Sequence, residues 1–354
     1  MKQVGLAGLA SVTALLGVLV GCGDDGAAGA GGSGGGDGSS GAGAAGPGAT
    51  PQGPPPHVVG GFAVQLPDFV VGPGEEIEPC WIAPLELEGP SRVVGGASLT
   101  VTGGMHHGNV TARPRTGDGF RPCPEGEGIL GGEAGDVVAG GAVLFGSTTQ
   151  FEGTEWRTFP EGMGYPIGDD WEIVFRMHYL NTQPTPVTLA PRYAWHTIDE
   201  AKVTQLLAPF IWMYSDFAIP PRSEHTVGAD CVFDQAPHFV SLMPHMHKLG
   251  TRFTASVIGG PDDGAVFLDS PGYNPDGVIV GFDPPLDLTE AQGFRFECTW
   301  TNTFDRTIHE GVGDDEMCML FGYGFPYAAA MTAYAVGESC AMVVAPPPAG
   351  WEGL

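Results

Sequence analysis

The chain has 354 residues, of which 14 are Lys or Arg and 41 are Asp or Glu, so its formal net charge is −27. This charge argues against a nucleic-acid partner, because the phosphates would be repelled. The 58 Gly and 32 Pro residues interrupt helices too often for a mostly helical protein, while 42% hydrophobic content is enough to bury a sizeable core.

The first 22 residues predict export. A positively charged start precedes a short apolar run from Val4 to Val20, which is typical of a secretory signal peptide. The run ends in LVGC, which resembles a bacterial lipobox. We therefore expect cleavage before Cys22 and a lipid on its sulfur, anchoring the protein to a bacterial membrane on the periplasmic face or the cell surface. The alternative is an ordinary signal peptide that contains a Cys.

Residues 23–56 are predicted to be a disordered tether. Gly makes up 14 of these 34 residues, and the segment closes with Pro54-Pro55-Pro56. Few side chains are available there to pack a core, so we expect a flexible linker with a stiffer end. The folded part of the chain is expected to begin near His57.

Short stretches of alternating hydrophobicity recur in the rest of the chain. Apolar residues in 171–180 alternate with other residues, which is typical of a half-buried strand. Strands are predicted at 97–102, 137–145, 171–180, 239–258, 294–301 and 317–325, with a helical turn at 199–207. This pattern favours antiparallel β-sandwiches or jelly rolls, with a domain boundary near residue 204.

The seven cysteines suit an exported protein, because disulfides persist outside the cytosol. If Cys22 carries a lipid, six cysteines remain, and these could form three bridges in any of 15 connectivities. Complete pairing would leave no thiolate for a nucleophile or for a blue copper site.

Two histidine pairs are candidate metal ligands. Side chains two apart on a strand project to the same face, so His245 and His247 could share one ion. His106 and His107 would face opposite sides of a regular strand, but the flanking glycines permit an irregular backbone that could turn both rings together. Pairs of either kind also occur on surfaces without a metal.

Met317 and His178 are weaker candidates when taken alone, because a sandwich Met is usually core and a lone His is usually structural. A thioether is nonetheless a soft ligand that favours Cu(I), and imidazoles suit copper in both oxidation states. The adjacent Asp314, Asp315 and Glu316 are predicted to form a solvated loop rather than a set of catalytic carboxylates.

Several motifs together carry a family resemblance. The runs PHFVSLMPHMHKLGTRFTASV and CTWTNTFDRTIHEGVGDDEMCMLFGYGFP, preceded by MHHGNV, FRMHYLNT and DFAIPPRSEHTVGADC, span roughly residues 60–345. They resemble, in the same order, motifs of the copper type II, ascorbate-dependent monooxygenases. This is the family of peptidylglycine alpha-hydroxylating monooxygenase and dopamine beta-hydroxylase.

The resemblance implies tandem jelly-roll domains, residues 57–203 and 204–354, facing each other across a cleft. It implies an electron-storing copper site on His106, His107 and His178. It implies a second copper site, where dioxygen and substrate meet, on His245, His247 and Met317. It further implies that the disulfides are Cys80–Cys123, Cys231–Cys340 and Cys298–Cys318. The family also carries a His at the position of His238, which we expect to orient this second site, the alternative being a plain buried histidine.

The implied activity is hydroxylation of an activated C–H bond by dioxygen. The implied cofactors are two copper ions per chain, with ascorbate or another one-electron reductant as co-substrate. Where the peptide-specific enzyme binds its substrate carboxylate, this chain has Met243, Met319 and Phe321. These residues would form an apolar wall, so we expect a small, neutral or apolar substrate.

Two other functions stay open from the sequence. The same ligands would suit a non-catalytic copper-binding or electron-transfer lipoprotein, since a metal site can outlast its activity. An inert sandwich used for surface adhesion would bind no stoichiometric copper.

Overall fold

The computed structural model describes residues 47–48, 53–124, 136, 141–146, 151–168, 170–273, 279–311, 314–327, 331–336, 339–344, 348 and 350–351. The predicted signal peptide, its Cys22 and most of the predicted tether lie outside these residues. Strands dominate the described part, which confirms the all-β prediction. No helix in the described part is long and apolar enough to cross a membrane.

Most strands before Leu207 assemble around one long strand, β6. The strands are β1 (Pro47–Gly48), β2 (Val58–Gln65), β3 (Phe69–Val71), β4 (Glu76–Ile77), β5 (Cys80–Pro84), β6 (Val93–Pro114), β7 (Arg121–Pro122), β8 (Ala142–Gly146), β9 (Phe151–Thr158), β10 (Met163–Pro166), β11 (Trp171–Leu180), β12 (Val187–Leu189), β13 (Arg192–Ile198) and β14 (Gln205–Leu206). Because β6 is 22 residues long, it pairs with β8, β9, β10, β11 and β13 at different points. We call the sheet around β6 the first sheet.

Most of the strands after Leu207 form a second sheet. These later strands are β15 (Ala208–Tyr214), β16 (Ala218–Ile219), β17 (Glu224–Val232), β18 (His238–His245), β19 (Gly250–Ile258), β20 (Val266–Ser270), β21 (Val280–Asp287), β22 (Gly293–Thr301), β23 (Ile308–His309), β24 (Met319–Phe325), β25 (Met331–Val336) and β26 (Ser339–Val344). Of these, β16 and β23 pair with each other and not with the second sheet. The strand order is β1-β21-β18-β24-β15-β25-β26-β17-β22-β19-β20, so β18 and β24 are antiparallel neighbours.

Each sheet has its own hydrophobic core. The first core contains Phe175, Tyr193 and Trp195, and the second contains Trp212, Phe294 and Trp300. Val240, Tyr323 and Phe325 belong to the second sheet but pack with the first core, so the two sheets lie against each other. The division into two jelly-roll domains at residue 204 stays a prediction.

Hydrophobic alternation located several strands well. The predicted segment 171–180 coincides with β11, and 294–301 and 317–325 overlap β22 and β24. The predicted segment 239–258 is two strands, β18 and β19, because a turn at 246–249 interrupts it. The predicted helical turn is a short 3₁₀ helix at Glu200–Lys202, whose first turn is capped by the Asp199 carboxylate.

Strand β11 is buried on both faces, so the prediction of a half-buried strand is wrong. Its polar residues Glu172, Arg176 and His178 are all buried. Arg176 donates to Asp136 Oδ2 at 2.8 Å and to Thr111 Oγ1 at 2.9 Å. Ion pairs and hydrogen bonds therefore compensate for the burial of these charges, which a pattern of polarity alone does not reveal.

The three disulfides that the resemblance implies are present. Cys80 is bonded to Cys123, Cys231 to Cys340, and Cys298 to Cys318. Three disulfides indicate an exported protein, since such bonds are rare in reducing compartments. The third bridge joins β22 to the residue immediately after Met317.

The Glu172 carboxylate gives a prediction about acid stability. Burial alone would raise its pKa, but hydrogen bonds from Arg121, Arg113 and Thr116 lower the pKa from 4.5 to about 2. We expect Glu172→Gln to lower the free energy of unfolding at pH 7 by at most about 3 kcal/mol. The extra stability of the wild type over this variant is fully present above pH 4.5. It is lost as the pH falls toward 2, because the carboxylate is then protonated in both the folded and the unfolded state.

Urea unfolding at pH 7 and pH 3, followed by tryptophan fluorescence, measures this effect. The matched control is Glu224→Gln at an exposed position of β17, which we expect to change stability by less than about 0.5 kcal/mol. An equal loss for Glu172→Gln at both pH values would contradict the prediction.

Candidate metal centre

The pairing of β18 with β24 brings the C-terminal candidate ligands together. His245 is the last residue of β18 and lies opposite Met319 in the antiparallel register. His247 lies just beyond β18, and Met317 just before β24. Continuing the same register by two residues sets His247 opposite Met317, although regular pairing has ended there. Segments 70 residues apart in the chain thus meet at one end of the strand pair.

The two imidazoles are neighbours. Their ring centroids are 5.3 Å apart and their planes lie at 89° to each other. His247 Nδ1 is 2.8 Å from the backbone oxygen of Asp315. A carbonyl oxygen can only accept, so Nδ1 carries the proton and Nε2 carries the lone pair. This arrangement fixes the ring and the tautomer of a metal-binding histidine.

Glu316 joins the segments that carry the candidate ligands. Its Oε2 accepts hydrogen bonds from the His247 backbone N–H and from Trp300 Nε1, each at 2.9 Å. Its Oε1 accepts from the Leu249 backbone N–H at 2.7 Å, and the Met317 backbone N–H also donates to the carboxylate. The side chain is fully buried, so the prediction that it lies in a solvated loop is wrong.

Sequence reasoning missed Glu316 because its charge was judged together with that of its neighbours. Asp314 and Asp315 are partly exposed and pair with Lys248 and Arg306, as expected for a solvated loop. The signal in the sequence was the position of Glu316 directly before Met317 and Cys318, two residue types that are usually buried. A carboxylate flanked on one side by buried residues is expected to turn inward and find donors.

Burial dominates the electrostatics of this centre. Burial raises the pKa of Glu316 to about 7, although its four N–H donors oppose the change. Burial also lowers the pKa of His247, and the charge of His178 acts in the same direction, while the hydrogen bond to the Asp315 carbonyl opposes it. A neutral His247 is the form that can bind a metal ion.

The N-terminal candidate ligands are described only in part. His178 is buried on β11, and its Nε2 contacts the Glu76 carboxylate. His107 lies opposite His178 in the register of β6 and β11, and a register irregularity follows at once, as the flanking glycines suggested. The side chains of His106 and His107 lie outside the described residues.

His238 lies at the opposite end of β18 from the histidine pair, and its role in orienting the metal site stays a prediction. It begins β18, whereas His245 ends it, and seven residues of strand separate them by roughly 23 Å. Its ring stacks on Phe325 at 4.6 Å between centroids, and its Nδ1 lies 3.5 Å from Asp287 Oδ1. These contacts fix the far end of the strand.

The predicted apolar wall is assembled beside His245. Met243 and Phe321 are cross-strand partners, one step along the ladder from the His245–Met319 pair. The Phe321 ring lies 6.4 Å from the His245 ring between centroids. Met319 and Phe321 also pack against Ile211 of β15. The three predicted substrate-side residues therefore share the half-buried face of the sheet that bears His245.

The donor set of the C-terminal centre fits copper. Two imidazoles, one with its coordinating nitrogen set by a backbone carbonyl, and a buried thioether are ligands that copper accepts. The described residues contain no cluster of three or more His, Cys, Asp or Glu side chains arranged to hold a metal ion. A site made of two His and one Met needs no such cluster.

Comparisons with known proteins found no family and only distant structural likenesses. No protein-family model and no curated protein matches the chain. The chain is similar to a triple jelly-roll protein of an archaeal virus, at 8% identity and a TM-score of 0.21, covering 78% of this chain and 61% of that one. It is also similar to the infectious bursal disease virus VP2 subviral particle, at 12% identity and a TM-score of 0.19, covering 79% and 75%. This likeness carries no argument about function.

Proposed function

We propose that the protein is a copper-dependent monooxygenase that hydroxylates an activated C–H bond of a small, neutral or apolar organic molecule. Dioxygen and an external one-electron reductant such as ascorbate would be the co-substrates. The observation that carries the proposal is the convergence of His245 and His247, with the His247 tautomer fixed for coordination and Met317 tethered to the same centre through Glu316.

The candidate ligands would each have a distinct task. Copper, when bound, supplies the redox chemistry with dioxygen. His245 and His247 would hold it through neutral imidazole nitrogens, and Met317 would add a soft sulfur that favours the reduced ion. The apolar wall formed by Met243, Met319 and Phe321 would exclude water and charged groups from the side where the substrate lies.

A second copper, on His106, His107 and His178, would supply the additional electron. Nε2 of His178 contacts Glu76, so a metal ion bound through that nitrogen would displace this contact. An electron from this site would have to pass from the first sheet to the C-terminal site on the second sheet.

Export and anchoring complete the proposal. The three disulfides support export. The LVGC sequence supports a lipid on Cys22 at a bacterial membrane. The part of the predicted tether before β1 would be the spacer, since Pro47–Gly48 already pair with β21. Globomycin, which blocks lipoprotein signal cleavage, should make the full precursor accumulate, whereas normal processing in its presence would contradict the lipid anchor.

Copper analysis and oxygen consumption test the enzymatic proposal. We expect two non-blue Cu(II) ions per chain by metal analysis and electron paramagnetic resonance. We also expect ascorbate-dependent oxygen consumption that continues for many turnovers when a suitable substrate is present. A copper carrier would bind the metal but would be reduced once per copper and then stop, and an adhesive sandwich would bind no stoichiometric copper.

A further inference from the structure

A cavity of about 310 Å³ lies between the two sheets, and Met243 and Phe321 of the apolar wall line it. Strands β8 and β9 and residues 159–161 line it from the first sheet, and β18, β21 and β24 line it from the second. It is about twice the size of a 150 Å³ apolar cavity that binds benzene, so two fused rings would fit. Such a volume is at the lower end of the range for small-molecule sites.

The cavity follows a ladder of cross-strand pairs that starts at the candidate metal centre. The His245–Met319 pair is followed by Met243–Phe321 and then by Ser241–Tyr323, and the last two pairs line the cavity. All six residues lie on the half-buried face of β18 and β24. Each two-residue step is about 6.8 Å, so the inner end lies roughly 14 Å from His245. A bound molecule would thus have one end at the Met243–Phe321 pair, next to His245 on the ladder, and the other between the sheets.

Aromatic rings form the inner end of the cavity. Tyr165 and Tyr323 stack at 5.7 Å between centroids, and Phe159 meets both rings edge-on. Both phenol hydrogens are donated to backbone oxygens, from Tyr165 to Leu144 at 3.3 Å and from Tyr323 to Val143 at 2.8 Å. The rings therefore present apolar edges and faces, which suit another aromatic ring.

The charged groups around the cavity do not select a charged ligand. Arg157 is paired with Glu155 and lies over the Phe145 ring, so its charge is already compensated. Asp283 is exposed, and Glu161 is 72% exposed and pairs with His57, so both belong to the rim. A cation that entered the inner cavity would lose its hydration without gaining a counter-charge. An anion would meet Arg157, whose charge is already compensated by Glu155 although its Nε has no hydrogen-bond partner among the described residues.

We propose that this cavity is a binding site for an uncharged molecule of about two fused aromatic rings, lying along the Met243–Phe321 and Ser241–Tyr323 pairs. This inference rests on the proposed function for the identity of the reacting end, because the outer end of the site adjoins His245. Binding itself needs no copper, so it can be measured separately from turnover.

Calorimetry on the full-length exported protein without copper tests the proposal. The probe is 2-naphthol, compared with the charged analogues naphthalene-2-sulfonate and 2-naphthylmethylammonium at pH 7. We expect a Kd on the order of 100 µM for 2-naphthol and binding at least about tenfold weaker for both ions. Equal affinities for the three probes, or no binding of 2-naphthol at 1 mM, would overturn the proposal.

Two variants locate the binding. A Cβ added at Gly146 would approach the Met243 methyl group to 3.2 Å, a flexible neighbour that can yield, so Gly146→Leu should fold and fill the outer cavity. Ser241→Leu fills the inner part from β18. We expect both to weaken 2-naphthol binding at least about tenfold, whereas the control Val266→Phe, at an exposed position of β20, should bind like the wild type. Wild-type affinity in both folded cavity variants would place the probe elsewhere and refute the site.

The outcomes separate the two proposals. Binding of 2-naphthol without any substrate-dependent oxygen consumption would support the proposed aromatic binding site and refute the proposed hydroxylase activity. Sustained oxygen consumption with another substrate, without binding of 2-naphthol, would support the proposed hydroxylase activity and refute the proposed aromatic binding site.

Discussion

Replacing Met317 by Ala should abolish oxygen-dependent turnover while most of the copper is retained. The thioether is the soft ligand of the proposed centre, and the histidines would keep binding the metal without it. We expect turnover to fall by about 100-fold or more, equivalent to roughly 2.7 kcal/mol in activation free energy. Oxygen consumption with ascorbate and the copper content per chain are the two measurements.

Met317→Leu separates ligation from packing in this experiment. Met317 is only 7% exposed, so truncation to Ala also leaves a cavity beside the Cys298–Cys318 bridge and is expected to destabilise the protein by about 2–5 kcal/mol. Leu has nearly the same volume as Met but no sulfur. The free energy of unfolding of the Leu variant should therefore lie within about 1.5 kcal/mol of the wild-type value, although the variant should be inactive. Full turnover by the Leu variant would show that Met317 is not a ligand of the proposed centre.

Replacing Glu316 by Gln should damage both stability and copper binding. The four groups that contact this carboxylate are all N–H donors, so the amide NH₂ of Gln would face another N–H group wherever it is turned. We expect the free energy of unfolding to fall by about 2–3 kcal/mol. The His247 and Met317 segments would lose their common acceptor, so copper affinity should fall by about 10–100-fold.

Chemical unfolding and copper titration with a competing chelator measure these effects. The control is Asp314→Asn, which changes a half-exposed carboxylate paired with Lys248 and should alter stability by less than about 0.5 kcal/mol. Wild-type stability and copper affinity in the Gln variant would show that Glu316 does not organise the centre.

The sequence indicated the local elements because their patterns depend on near neighbours. Period-two alternation located β11, β22 and the body of β24, and the helical turn predicted at 199–207 contains the 3₁₀ turn Glu200–Lys202. The family resemblance supplied the pairing of the six cysteines, which composition alone left open among 15 arrangements. The spacing of His245 and His247 likewise predicted neighbouring rings, although His247 lies beyond the strand end.

Only the tertiary structure decided which polar side chains are buried, because burial depends on what covers a strand and not on the strand's own sequence. In the folded protein both faces of β11 are buried, and Glu316 lies buried between two chain segments. His238 and His245 lie at opposite ends of β18. The tertiary structure also set the first sheet against β18 and β24, which created the cavity that Met243 and Phe321 line. The sequence by itself determined the strands, the cysteine chemistry and the types of ligand, since these follow from residue identity and short-range periodicity. The register between distant strands determined which of them meet.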